Sequence, residues 1–216
     1  MKKLILIPAI LGIFFSVDEF YRIRREKPPE SILYVPKGKY VKVMVMNFRE
    51  IVADYLLARA LVYFGAHFYE KAFPYKWLYN LFDAATTVDP FNREAFMMGA
   101  RLLTVRDVHL SIKLLKKGMK YHSNYWKFPE MVGFIYFFYL KDPAKAAIWY
   151  DKASRLPGHP PYVPSLASKF YTEAGKYRAA IRVLYNFYIT TKDKRLKAIF
   201  KKDIERLQKR LMEVER

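Results

Sequence analysis

The chain has no cysteine, which removes disulfides, cysteine-based zinc sites and thiol catalysis together. It carries no H-E-x-x-H, no G-x-x-x-x-G-K and no G-x-S-x-G, so metalloprotease, P-loop and nucleophile-elbow chemistry lack their signatures. Four histidines, His67, His109, His122 and His159, fall without metal-ligand spacing, and no metal site is expected. Acidic residues are scattered among lysines, leaving no isolated carboxylate pair. Asp54 and Arg59 share a helical stretch, but five residues turn them about 140° apart. These absences point to a non-catalytic protein with no cofactor and no small-molecule substrate. Glutamine occurs once, at Gln208, in a chain rich in Lys, Arg, Ile and Tyr, the composition expected of a thermophile.

Negative charge is also scarce: 39 Lys and Arg against 20 Asp and Glu leave a net charge of +19 over 216 residues. Such an excess attracts nucleic acid, lipid headgroups or an acidic partner, and it equally fits a solvated surface from a lysine-rich proteome. From Lys192 to Arg216 there are ten basic and five acidic residues, so the excess is spread along the chain and not gathered in one arm. A hydrophobic content of 53% with 27% charged residues excludes a disordered polar chain and allows one or two domains.

Positions 1–21 read as a signal-like membrane anchor. Lys2 and Lys3 precede an apolar run of fourteen residues, Leu4 to Val17, shorter than the roughly 20 that span a bilayer comfortably. Ser16 could serve a cleavage site, but Phe14 is bulky, so an uncleaved anchor is favoured over a cleaved signal. Basic residues flank the run on both sides, with Arg22, Arg24, Arg25 and Lys27 following it, so charge does not orient it. Its signal-like character puts the body on the extracytoplasmic (periplasmic) side; the cytoplasmic face, or secretion after cleavage, are the alternatives. Positions 22–46 read as a spacer, stiffened by Pro28-Pro29, and a small β-hairpin. Its strands would be Ser31 to Pro36 and Tyr40 to Met46, the second alternating Val41, Val43 and Val45 with Lys42, Met44 and Met46. An extended linker fits the same residues, since two strands alone are marginal.

From Asn47 the period becomes helical. Helices are expected over Phe48 to Phe64, with Gly65 as a stop, then Tyr75 to Val88, Arg93 to Leu103 and Asp107 to about Tyr121. A hairpin follows over Met131 to Ala153, turning at Lys141-Asp142-Pro143, where Asp142 caps and Pro143 opens the second helix. Val163 to Ala174, stopped by Gly175, and Tyr177 to Ile189 form another pair. Positions 192–216 hold a basic capping helix, Lys194 to Val214, with Leu196, Ile199, Phe200, Ile204, Leu207 and Leu211 on one face.

Within 47–191 a pattern recurs. The second helix of each pair carries Leu78, Phe82, Ala85; Ser111, Leu115, Gly118; Ala146, Tyr150, Ala153; and Ala179, Val183, Asn186. The last members are separated by 33, 35 and 33 residues. First helices carry Ala100, Gly133 and Ala167, each followed three residues later by Leu103, Tyr136 and Phe170. A helix-turn-helix period near 34 is the signature of tetratricopeptide arrays. The chain resembles the tetratricopeptide-repeat family, of membrane-anchored or exported bacterial type, over about four repeats; Asp89-Pro90 matches the family's closing proline. It departs from the family in lacking Trp at the early aromatic position, where Phe96, Pro129 and Val163 stand.

The resemblance implies an all-α, right-handed α-solenoid whose first helices line a concave groove. Carried over position by position, that groove comprises Met97, Arg101 and Thr104; Lys127, Glu130, Phe134 and Phe137; and Ser168 and Tyr171. Aromatic contacts beside Arg101 and Lys127 suit a peptide or helix with an acidic group. The same aromatics fit a plain core, because Phe134 to Leu140 is apolar on every face. The expected function is a membrane-tethered protein–protein interaction scaffold of an envelope or surface assembly. Alternatives are a basic solenoid binding nucleic acid in the cytoplasm, disfavoured because no RNA-binding motif accompanies the aromatics, and a structural subunit docking through its hairpin or last helix.

Overall fold

The computed structural model describes residues 38–45, 48–69 and 75–215. The chain divides into two units at Tyr34 and Val35, and the described residues all lie in the second. The expected anchor at 1–21, the strand at Ser31 to Pro36 and the join around Ala72-Phe73-Pro74 lie outside the described residues.

Among the described residues there are ten helices and no strand. They are α1 (Gly38–Met44), α2 (Arg49–His67), α3 (Tyr75–Val88), α4 (Arg93–Thr104) and α5 (Val108–Tyr121). Then come α6 (Lys127–Phe138), α7 (Pro143–Ser154), α8 (Tyr162–Glu173), α9 (Tyr177–Thr190) and α10 (Lys194–Val214). From α2 onward each helix packs on the next in the chain, while α1 lies on α3 and α3 also touches α5. The helices thus pack in sequence order.

The expected β-hairpin is not formed: Tyr40 to Met44 belongs to α1. Alternating β-branched residues are a weak preference that packing overrides. The packing here turns on Gly38, which is buried so closely on α3 that a Cβ would sit 2.6 Å from Thr87 Cβ and 3.0 Å from Ala84 Cα. Gly65 likewise does not stop α2, which runs on to His67. A glycine inside a helix costs only about 1 kcal/mol, and here that loss is met by ring contacts of Tyr63 with His67 and Phe64 with Phe68.

Local signals set most other boundaries. Asn92 accepts a hydrogen bond from Ala95 N at 3.1 Å and Asp107 accepts from His109 N and Leu110 N at 3.0 Å. Asp142 accepts from Lys145 N at 2.9 Å, with Pro143 in the first turn of α7. Each satisfies backbone donors that the first helical turn leaves free. Gly175 leaves α8 at φ +73°, a conformation that suits glycine.

The recurring positions are the interlocking surface. Leu78, Phe82, Ala85, Ser111, Leu115, Ala146, Tyr150 and Ala153 are all buried, as are Ala100, Leu103, Ala167 and Phe170. Gly133 lies against Tyr150 across the α6–α7 hairpin, and Gly99 against Leu114 and Phe82. In the fourth set Val183 is buried but Asn186 is exposed, facing a small polar cleft beside Asp151 and Arg155. On α10, Phe200, Ile204 and Leu207 are buried, whereas Ile199, one residue round the helix from Phe200, is 55% exposed. The core of the last four helices gathers Tyr150, Phe170, Val183, Leu184 and Phe200, with Phe137 and Tyr136 packed at its margin.

Candidate functional site

The residues expected to line one groove fall into three groups. Met97 and Thr104 are buried on α4, each 3% exposed. The Thr104 and Ser111 hydroxyls lie 2.8 Å apart, and both reach the Ala100 carbonyl oxygen, at 2.7 and 2.8 Å. That buried pair ties α4 to α5, and it leaves Thr104 with its hydrogen bonds satisfied inside the protein. Tyr171 is also buried, its hydroxyl donating to Asp151 Oδ2 at 3.4 Å.

The second group is electrostatic. Glu130, half-buried near the start of α6, has its carboxyl pushed up by burial, against which Lys127 and Arg101 pull it down. Lys127 and Arg101 are exposed, and Lys127 Nζ also lies 5.9 Å from the Trp126 ring and 6.0 Å from that of Tyr125. Charged groups from α4 and α6 thus lie near enough to influence one another, without a direct ion pair among them.

The third group lines a cleft. Phe137 from α6, Ser165, Ser168, Lys169, Thr172 and Glu173 from α8, Leu184 from α9, and Asp203, Arg206, Leu207 and Arg210 from α10 line a space of about 670 Å³. Phe137 is held there by its ring contact with Phe170, 4.4 Å between centroids. Its polar lining is mixed, Lys169, Arg206 and Arg210 facing Glu173 and Asp203, and Arg206 holds Asp203 at 3.0 Å. Phe134 stands apart from this cleft, 37% exposed and stacked on Phe138 with ring planes 7° apart. Phe138 in turn meets Tyr139 and the Lys141 ammonium, forming an aromatic patch at the end of α6.

The α10 side of the cleft was missing from the sequence expectation, which treated that helix as a cap. A signal was present. Moving Ser168 and Tyr171 forward by one 35-residue interval lands on Asp203 and Arg206, which line the same cleft as Ser168.

Three of the four histidines have local ring contacts, His67 Nδ1 lying 2.9 Å from the Tyr63 carbonyl oxygen. His122 Nε2 lies 2.9 Å from the Pro90 carbonyl oxygen among Phe91, Phe96 and Phe128, and His159 Nδ1 is 3.1 Å from the Pro160 oxygen. Among the described residues no cluster of three or more His, Asp and Glu could hold a metal ion. Nor is any helix there long and apolar enough to cross a membrane. Neither a protein-family model nor a curated protein matches the chain.

Proposed function

We propose that the chain is a non-catalytic interaction scaffold, a right-handed tetratricopeptide-type solenoid that binds a peptide or helix along its first helices. The observation that carries this reading is the cleft at Phe137, lined mainly by α6, α8 and α10, with Leu184 of the intervening α9 at its floor. The lining mixes apolar groups with charges of both signs; with Asp203 held by Arg206, the excess of Arg210 and Lys169 over Glu173 supports an elongated acidic ligand, and the guanidinium groups are planar donors suited to carboxylates. The exposed pair Arg101 and Lys127 extends the same character toward α4. The interlocking residues at 33- to 35-residue intervals support the repeat assignment. The apolar run Leu4 to Val17 supports a membrane tether, with the body on the extracytoplasmic side of an envelope or surface assembly.

Panning a random peptide library with free C-termini on the full chain tests the binding reading. The expected product is an acidic, aromatic-containing consensus whose affinity falls at least tenfold when Arg206→Glu and Arg210→Glu are combined. No consensus, or binding indifferent to those changes, refutes it. The tether is tested separately, by a reporter fused after Arg216 and read on each side of the membrane.

A further inference from the structure

The second helices carry a different surface. Lys113, Lys116, Lys117 and Lys120 stand at spacings of three and four along α5, so they share one side of the helix. Like charges at that spacing repel, and a helix normally relieves them with carboxylates in between. Here the lining of the adjoining cleft, about 630 Å³ between α3, α5 and Tyr136 of α6, offers four lysines and His109 against one acidic residue, Asp83.

That one carboxylate is already engaged. Lys117 Nζ lies 2.8 Å from Asp83 Oδ1, 2.7 Å from the Asp83 carbonyl oxygen, and within 3.0 Å of the Thr86 and Thr87 hydroxyls. Lys117 thus ties α5 to the C-terminal half of α3 through one carboxylate, one carbonyl and two hydroxyl groups. Lys113, Lys116 and Lys120 are exposed, with no acidic partner in the cleft other than Asp83. Lys113 is steadied over the Tyr79 ring at 4.8 Å and Lys116 over Trp149 at 5.7 Å. Aromatic faces position these ammonium groups without neutralising them.

We propose that this cleft is a binding site for a ligand bearing clustered phosphate groups, either free or as a lipid headgroup. A concave wall of one sign concentrates its field on the space it encloses, and ammonium groups one helical turn apart match adjacent phosphates as point charges. Lys113, Lys116 and Lys120 carry the contact, while Lys117 holds the wall in place. The site lies on α3 and α5, away from the cleft of α8 and α10, and stands independently of the scaffold reading.

The test uses the full chain and inorganic tripolyphosphate as probe, followed by titration calorimetry at low salt. Two variants lose the same three charges: Lys113→Gln, Lys116→Gln and Lys120→Gln together in the cleft, and Lys194→Gln, Lys201→Gln and Lys209→Gln together on α10. The wild type and the α10 variant are expected to bind within twofold of each other, and the cleft variant at least tenfold more weakly. Equal losses in both variants would show attraction to net charge alone and overturn the site, as would no binding by the wild type. Flotation with neutral vesicles and with vesicles containing phosphatidic acid then separates the sources. A phosphatidic-acid preference that the cleft variant loses assigns a headgroup; tripolyphosphate binding without that preference assigns a soluble ligand.

Discussion

Replacing Gly133 by alanine should destabilise the protein, although alanine is the better helix former. In an unobstructed helix the exchange gains about 1 kcal/mol. At Gly133 the new Cβ would lie 2.5 Å from Tyr150 Cδ2, 2.8 Å from its Cε2 and 3.3 Å from the Ala146 carbonyl oxygen. The ring must therefore retreat by about 1 Å in a close-packed interior. It has little room, being 3% exposed and in contact with Phe170 at 5.2 Å. Overpacking of this kind costs about 1–3 kcal/mol, and its upper range exceeds the helical gain. With so little room for the ring the cost falls in the upper half of that range, and a net loss of up to about 2 kcal/mol lowers the melting temperature by up to about 8 °C in a domain of this size. Gly65 supplies the internal control, because nothing lies within 4 Å of a Cβ there. Gly65→Ala should raise stability by about 0.5–1 kcal/mol. The assay is thermal unfolding followed by far-ultraviolet circular dichroism, with Tyr150→Leu added to make a double-mutant cycle. The pair Gly133→Ala and Tyr150→Leu should lose less than the sum of the single changes, since removing the ring removes the clash. A Gly133→Ala protein that melts at or above the wild type refutes the packing argument.

Other outcomes follow from the charged and titratable groups. Burial, helped by the charge of Asp83 and its hydrogen bond, pushes the Tyr79 hydroxyl up from 10.0 to about 12. The folded value exceeds the unfolded one, so the associated stability is whole below pH 10 and is lost as pH rises through 12. That is about 2 kcal/mol, to be read as the difference in alkaline unfolding between the wild type and Tyr79→Phe. Subtracting the two curves also cancels Lys117, whose pKa burial lowers and which acts in the opposite sense. Asp151 is buried and accepts from Arg155 Nε at 3.1 Å and from Nη2 at 2.8 Å. Asp151→Ala should cost about 2 kcal/mol in urea unfolding, below the range for a fully buried pair because Arg155 is exposed to screening solvent. Arg178→Ala, breaking an exposed pair with Glu215, should change stability by less than about 0.5 kcal/mol. At Glu130 burial favours the neutral acid, so the wild type should lose melting temperature relative to Glu130→Gln as pH rises above 4.5. No divergence between pH 4 and pH 7 contradicts that assignment.

The two clefts were unequally legible in the sequence. Phe137 and Ser168 followed from position within a repeat, and both line the α8–α10 cleft. Arg206 and Arg210 did not, because the last helix was read as a cap. Lys113, Lys116 and Lys120 were not distinguished from the positive charge spread along the chain. Their one neighbouring carboxylate is engaged by Lys117, 34 residues further along the chain from Asp83, a contact that helical periodicity does not reveal.

Several helix ends were determined by the sequence itself. Asn92, Asp107, Asp142-Pro143 and Gly175 act on backbone groups within four residues of themselves, so their effect is written locally. Tertiary structure decided the rest. It made Tyr40 to Met44 helical by seating Gly38 on α3, and it placed Phe137 in a cleft while leaving Phe134 stacked on Phe138 outside it. Those outcomes depend on which distant helix supplies the neighbouring atoms. Burial and charge compensation are properties of that neighbour as much as of the residue.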